Sequence, residues 1–171
     1  MKEFEVTLES RPSPSYGIVT GYDLAERVAR DLAGKPLGAR CMVVSDSNVA
    51  PLHGEAFLGT LRDAGLPVSL LEFPAGEPSK NMNTVLDMTA KLLAAGVDRK
   101  CALIALGGGV VGDMVGFIAS VYMRSLPYIQ VPTTLVGQVD SSIGGKTAID
   151  LPEGKNLLGT FYQPRAVFID L

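Results

Sequence analysis

The 171-residue sequence predicts an α/β fold, a mostly parallel sheet with helices on both faces. Three observations carry that prediction. Short apolar runs alternate with stretches whose apolar residues recur at helical spacing. A glycine-rich turn joins one of those runs to the helix after it. The composition, 47% hydrophobic and 19% charged, is that of a chain with a packed core. A chain of this length buries roughly 68–70% of its extended surface, which suits one domain over residues 1–171.

The elements can be justified in order. Phe4, Val6 and Leu8 alternate as in an edge strand, and Tyr16 to Thr20 reads as a second strand after Arg11-Pro12-Ser13-Pro14. Leu24, Val28 and Leu32 stand at helical spacing within Asp23–Leu32, and Gly34 is placed to end that helix. Cys41-Met42-Val43-Val44 is the short, continuous apolar run of a strand buried on both faces. A helix is expected from about Ser47 to Ala64, despite Gly54 and Gly59. The alternation then continues: strand Val68–Phe73, helix Asn81–Ala95, strand Ala102–Leu106, helix Asp113–Met123. Strands are also expected at Tyr128–Val131 and Ala166–Ile169, while the polar segment 132–165 is given no strand or helix.

Composition excludes several function classes. A net charge of −3 argues against a protein that binds nucleic acid by neutralising its phosphates. Two cysteines make no disulfide framework, and a single histidine leaves few ligands for zinc. The first ten residues alternate charge with apolar side chains, unlike a signal peptide, and no run has the length of a membrane span. A soluble, cytoplasmic protein with neither nucleic-acid nor membrane partners is therefore expected.

The strand Cys101–Leu106 runs into Gly107-Gly108-Gly109-Val110-Val111-Gly112-Asp113, in which Gly107, Gly109 and Gly112 match G-x-G-x-x-G. Glycines there let the backbone approach a diphosphate, and the helix start offers it unpaired N–H groups. No Asp or Glu follows at the spacing usual for a ribose contact. Asp46 and Glu77, just past the ends of two other strands, are candidates for that part. The bland alternative is a turn that only lets a helix pack closely on a strand.

The polar segment contains Pro132-Thr133-Thr134, then Asp140-Ser141-Ser142-Ile143-Gly144-Gly145-Lys146-Thr147, then Gly154-Lys155-Asn156. Glycines beside a lysine clear space for a phosphate or carboxylate. The run lacks the earlier glycine of a P-loop, so an ATPase is excluded. Singly, Lys146 and Lys155 could be solvated loop lysines, Asp140 a cap, and Arg124 a cation complementing a helix dipole. Cys41 and Cys101 read as buried, inert thiols, and His53 as structural or exposed.

As an ordered set these segments resemble the 3-dehydroquinate synthases. The resemblance rests on Gly107 to Asp113, Tyr122-Met123-Arg124, Ile129-Gln130-Val131-Pro132-Thr133-Thr134-Leu135, Gln138 to Thr147, Gly154-Lys155-Asn156 and Phe161-Tyr162-Gln163-Pro164. Ser45-Asp46-Ser47-Asn48-Val49 and Gly76-Glu77-Pro78-Ser79-Lys80 match less closely. Ser125 and Gly137 depart from the usual glycine and alanine, both small changes. The resemblance implies a Rossmann-like, NAD-binding α/β domain of an enzyme that cyclises a seven-carbon phosphorylated sugar acid (DAHP) to 3-dehydroquinate in the shikimate pathway. It implies that Asp46, Asn48, Glu77 and Lys80 hold the adenosine and ribose side of NAD. Gly108, Gly109, Val110 and Asp113 would take the diphosphate region, and Thr133 and Thr134 a position further along.

Asp140, Lys146, Lys155 and Asn156 would face the substrate or its junction with the cofactor, Lys146 and Lys155 touching both. Arg124 would be shared with the neighbouring site of a homodimer. The family's zinc or cobalt sits on one glutamate and two histidines of a helical C-terminal domain. That domain is expected outside this sequence, so negligible turnover is expected of the chain by itself. Two further readings stay open: a metal-dependent polyol dehydrogenase of related fold, and a non-catalytic nucleotide-binding module.

Overall fold

The computed structural model describes residues 15–34 and 37–171. The strand expected at Phe4–Leu8 lies outside the described residues. In chain order the elements are β1 (Gly17–Gly21), α1 (Ala25–Gly34), β2 (Arg40–Asp46), α2 (Glu55–Asp63), β3 (Val68–Phe73), α3 (Met82–Ala94), β4 (Cys101–Gly107), α4 (Gly109–Val121), β5 (Tyr128–Pro132), β6 (Lys146–Leu151), β7 (Gly154–Phe161) and β8 (Ala166–Asp170). Six strands form one sheet in the order β1-β8-β5-β4-β2-β3, and every adjacent pair is parallel.

The central strands show why short apolar runs become strands here. Along β4, Cys101, Leu103 and Ala105 face one side and pack with Met42, Val44, Met88, Leu92, Met114 and Ile118, so α3 and α4 cover that face. Ala102, Ile104 and Leu106 face the other side and pack with Val28, Leu32, Phe57, Leu58 and Leu61 of α1 and α2. A strand covered on both faces must be apolar at every position, and all seven residues of β4 are buried.

Several helix boundaries differ in detail from the expected ones, each for a local reason. Asp23 takes a positive φ of 54°, so α1 starts after it, with the Leu24 amide donating to Asp170 Oδ2 at 2.9 Å. Residues Ala50–Gly54 are wound as a π-type turn that runs directly into α2, with helical φ/ψ at Val49, Gly54 and Glu55, so the helix expected at about Ser47–Ala64 is one continuous helical stretch with a widened first turn. The helix expected at Asp113–Met123 begins four residues earlier, because the glycine run is itself the first turn of α4. It ends at Val121, since Met123, Arg124 and Ser125 all take positive φ.

The larger correction concerns segment 132–165. It contains an antiparallel hairpin, β6 with β7, that forms a second sheet and packs on α4. Gly116 allows the contact: a Cβ there would lie 2.4 Å from Thr147 Cγ2. Thr147 and Ile149 are buried beneath the hairpin, whereas most of β7 is exposed. Tyr128 and Tyr162 stack at a centroid distance of 5.6 Å and tie the hairpin's far end to β5.

Candidate functional site

In an open parallel sheet, ligands bind beyond the C-terminal ends of the strands where the winding direction reverses. Here the chain leaves β2 for β3 in one direction and β4 for β5 in the other, so the reversal lies between β2 and β4. Ser45 Oγ donates to the Leu106 carbonyl at 2.7 Å across that junction. The loops after β2, β3, β4 and β5, which carry Asp46, Asn48, Glu77, Lys80, Gly108 and Thr134, emerge on this edge. Ser47 ties two of them together, its amide donating to Phe73 O and its Oγ accepting from the Ala75 amide at 3.0 Å.

The glycine run behaves as a cradle. Gly108 caps α4 with extended backbone and no side-chain partner, and the first intrahelical bond runs from the Gly112 amide to Gly108 O. The preceding amides of the first turn are therefore left for an anion. A Cβ on Gly108 would come 3.0 Å from Thr134 Cγ2, and one on Gly109 would come 3.0 Å from Ser141 Oγ. A Cβ on Gly112 would meet Gln130 Oε1 at 2.6 Å, so that glycine serves the seating of α4 on β5. Thr133 Oγ1 is buried beside this turn with no partner, and its amide donates to Gly107 O. A bare cradle with unpaired amides and an orphaned hydroxyl fits the diphosphate of a dinucleotide.

A cavity of about 500 Å³ opens between the start of α4 and the hairpin. Asp113, Asp140, Lys146 and Asn156 line it together, although up to 43 positions separate them in sequence. Asp140 sits in a π-type turn, Gly137–Ser141, and Lys146 opens β6, so each is exposed to the cavity from a different element. Ser141, Thr147 and Thr160 also line it and were not singled out as functional from the sequence. The alternation of Thr147, Ile149 and Leu151 ahead of the Pro152-Glu153-Gly154 turn was the available signal.

Around the cavity runs a charge network. Lys80 is 4% exposed, and its Nζ donates to Asp113 Oδ2 and to Asn156 Oδ1, each at 2.5 Å. Burial raises the Asp113 carboxyl above the ordinary aspartate value; Lys80 opposes that shift, and nearby Glu77 and Asp150 add to it. Lys155 pairs with Glu77 Oε1 at 2.9 Å outside the cavity, and that hydrogen bond raises the ammonium's pKa.

The remaining expected residues are placed differently. Asp46 Oδ1 accepts from the amides of Asn48 and Val49, closing a turn after β2, while Asn48 is exposed. Thr134 is exposed, and its Oγ1 accepts from the Gly137 amide at 3.2 Å. Arg124, in a left-handed turn after α4, does not line the cavity, and neither does Lys155. Cys41 and Cys101 are free and buried, on opposite faces of the sheet, and His53 is exposed. Among the described residues no group of three or more His, Cys, Asp or Glu could hold a metal ion. No described helix is long and apolar enough to cross a membrane.

Comparison with known proteins agrees with this geometry. The family model described as 3-dehydroquinate synthase N-terminal matches residues 70–171. A 3-dehydroquinate synthase from Desulforamulus reducens is 43% identical over 171 residues, covering 100% of this chain and 47% of that protein. The structure of ValA, a 2-epi-5-epi-valiolone synthase from Streptomyces hygroscopicus with NAD+ and Zn2+ bound, superposes with a TM-score of 0.82 at 33% identity, over 96% of this chain and 45% of that one. A 2-deoxy-scyllo-inosose synthase complexed with carbaglucose-6-phosphate, NAD+ and Co2+ gives a TM-score of 0.81 at 32% identity, over 90% of this chain and 41% of that one. The chain thus spans under half the length of each of these relatives. On the match of the family model over residues 70–171, the chain belongs to the 3-dehydroquinate synthase N-terminal family.

Proposed function

We propose that this chain is the NAD-binding part of a 3-dehydroquinate synthase, the enzyme that converts DAHP to 3-dehydroquinate and phosphate. The observation that carries the reading is the cavity at the start of α4. One acidic helix residue, one acidic turn residue and two polar hairpin residues surround it, next to the glycine cradle.

In this reading the amides of Gly108, Gly109 and Val110 bind the NAD diphosphate, with Thr133 and Thr134 further along the cofactor. Asp46, Asn48, Glu77 and Lys80 hold the adenosine and ribose side, and Asp113 takes part in the diphosphate region. The chemistry that bound NAD supplies is reversible removal of a hydride, which acidifies the neighbouring proton and lets phosphate leave. Lys146 and Lys155 attract the carboxylate and phosphate of the substrate, Asn156 donates to it, and Asp140 orients a substrate hydroxyl. Lys155 reaches a ligand by leaving Glu77, an exposed ion pair that holds it weakly. Arg124 serves the neighbouring site of a homodimer. The described residues do not fit a zinc or cobalt site.

Calorimetry with NAD tests the reading. The chain should bind NAD, and Glu77→Ala should weaken binding by about tenfold or more, the loss expected for one charge-assisted hydrogen bond. Absence of binding, or affinity indifferent to Glu77→Ala, would favour a non-catalytic module. Net NADH formation from simple polyols would favour a dehydrogenase.

A further inference from the structure

We propose that Gln163 is a positioning residue that clamps the Gly144-Gly145 turn and through it fixes Lys146 at the cavity. This rests on the reading of Lys146 as the side chain that attracts the substrate's carboxylate or phosphate. Gln163 follows β7 and has no part in the proposed chemistry. It does not line the cavity, whereas Lys146 is the one basic residue, among those described, that does.

Gly144 and Gly145 take positive φ of 92° and 68°, immediately before Lys146 opens β6. Two glycines in succession are very permissive backbone, so a side chain mounted after them is poorly placed unless the turn is tied from outside. Here it is tied on several sides. Gln163 Nε2 donates to Gly144 O at 3.0 Å, the Gly144 amide donates to Tyr16 Oη at 3.0 Å, and the Tyr162 amide donates to Gly145 O at 2.8 Å. The Gln163 amide also lies flat against Gly145: a Cβ there would come 2.7 Å from Gln163 Cδ and 2.8 Å from both Nε2 and Oε1. One planar group thus supplies the hydrogen bond and fills the space that a side chain at 145 would need.

The clamp has a firm base. Tyr162 stacks on Tyr128 and donates from Oη to Leu126 O at 2.7 Å, and Pro164 is buried. Lys146 pairs with Phe161 at the open end of the hairpin, the end that these ties close. Its ammonium forms no ion pair among the described residues, so the backbone beneath it decides where the charge stands. An anion then meets a cation already in place and does not have to order a diglycine turn on binding.

The test uses the isotope-labelled chain and NMR, first without ligand. Gln163→Met keeps the side-chain length and loses the donor. In it the amide order parameters of Gly144, Gly145 and Lys146 should fall from about 0.85 to about 0.6, while those of Gly154 to Leu158 stay put. Inorganic phosphate, followed through the amides of β6, should bind this variant about three- to tenfold more weakly, the loss expected for one hydrogen bond. Tyr16→Phe removes a second tie and should act in the same direction. In a Lys146→Ala background, itself weakened for phosphate, Gln163→Met should add nothing, because Gln163 acts only through Lys146. A general loosening of the hairpin would instead add its full loss there. Unmoved order parameters at 144–146, wild-type phosphate affinity in Gln163→Met, or an undiminished effect in the Lys146→Ala background each overturns the proposal. If the wild-type chain binds no phosphate, or Lys146→Ala binds it as tightly, the reading of Lys146 fails and takes this role with it. The ligand-free order parameters separately decide whether Gln163 holds the turn.

Discussion

Strand β4 and the hairpin β6–β7 are both apolar-rich β-structure, yet different forces hold them. β4 is buried at all seven positions between two layers of helices, so its place is set by area removed from water. The hairpin is exposed along most of β7 and is held by glycine clearance, the Thr147–Thr160 hydrogen bonds and the Lys80 network. The comparison teaches that the hydrophobic framework and the chemistry sit on different structural supports. The framework can lose little without global cost, whereas the hairpin can loosen locally and take the cavity with it.

Four substitutions probe that contrast. The largest effect is expected from Leu103→Ala, which empties a fully buried site in β4 and should cost about 2–5 kcal/mol in denaturant unfolding. A cost below that range would mean the sheet relaxes around the gap. Next comes alkaline pH. Burial on β2 pushes the Cys41 thiol up to about 11 from 9.0, so the native chain keeps its proton where the unfolded chain releases it. The resulting stabilisation is complete below pH 9 and is lost as pH rises through about 11, roughly 2–3 kcal/mol in all. Stability measured from pH 8 to 11.5 should fall with that slope, and Cys41→Ala should flatten it.

On the hairpin, Gly159→Ala would drive a Cβ to 2.2 Å from the Thr147 carbonyl. About 1–3 kcal/mol of strain is expected from such overpacking. Amide exchange should accelerate across 146–161 while β2, β4 and β5 stay protected; uniform acceleration would show that the two regions unfold as one. The smallest effect on stability belongs to Lys155→Ala. Its exposed pair with Glu77 should leave the unfolding midpoint where it is, while NAD or substrate-analogue binding weakens.

Much of the fold could be read from residue order. The runs at 41–44, 68–73, 102–106, 128–131 and 166–169 all lie within observed strands; in the central ones a doubly covered strand writes its burial into every position, whereas edge strand β3 leaves Ser69 and Glu72 exposed. The hairpin was missed because one of its strands faces solvent and carries Lys155 and Asn156, which leaves no apolar pattern to detect. Within the site, the glycine run and Asp113, Asp140, Lys146 and Asn156 were legible as residue types. The burial of Lys80 was not: the resemblance marks it for the cofactor side, but a lysine after a Glu-Pro-Ser turn gives no sign that its ammonium will be buried beneath a hairpin about seventy residues later.

The sequence by itself determined the parallel sheet and its two-sided core, since burial periodicity is a local property of each segment. It also marked where an anion could approach backbone, since only glycines leave that room. Tertiary structure alone decided that α4 begins inside the glycine run and that two aspartates, a lysine and an asparagine surround one cavity. It alone decided that Lys80 turns inward. Those outcomes depend on how a hairpin packs on a helix, through contacts between residues far apart in the chain, and no local pattern encodes them.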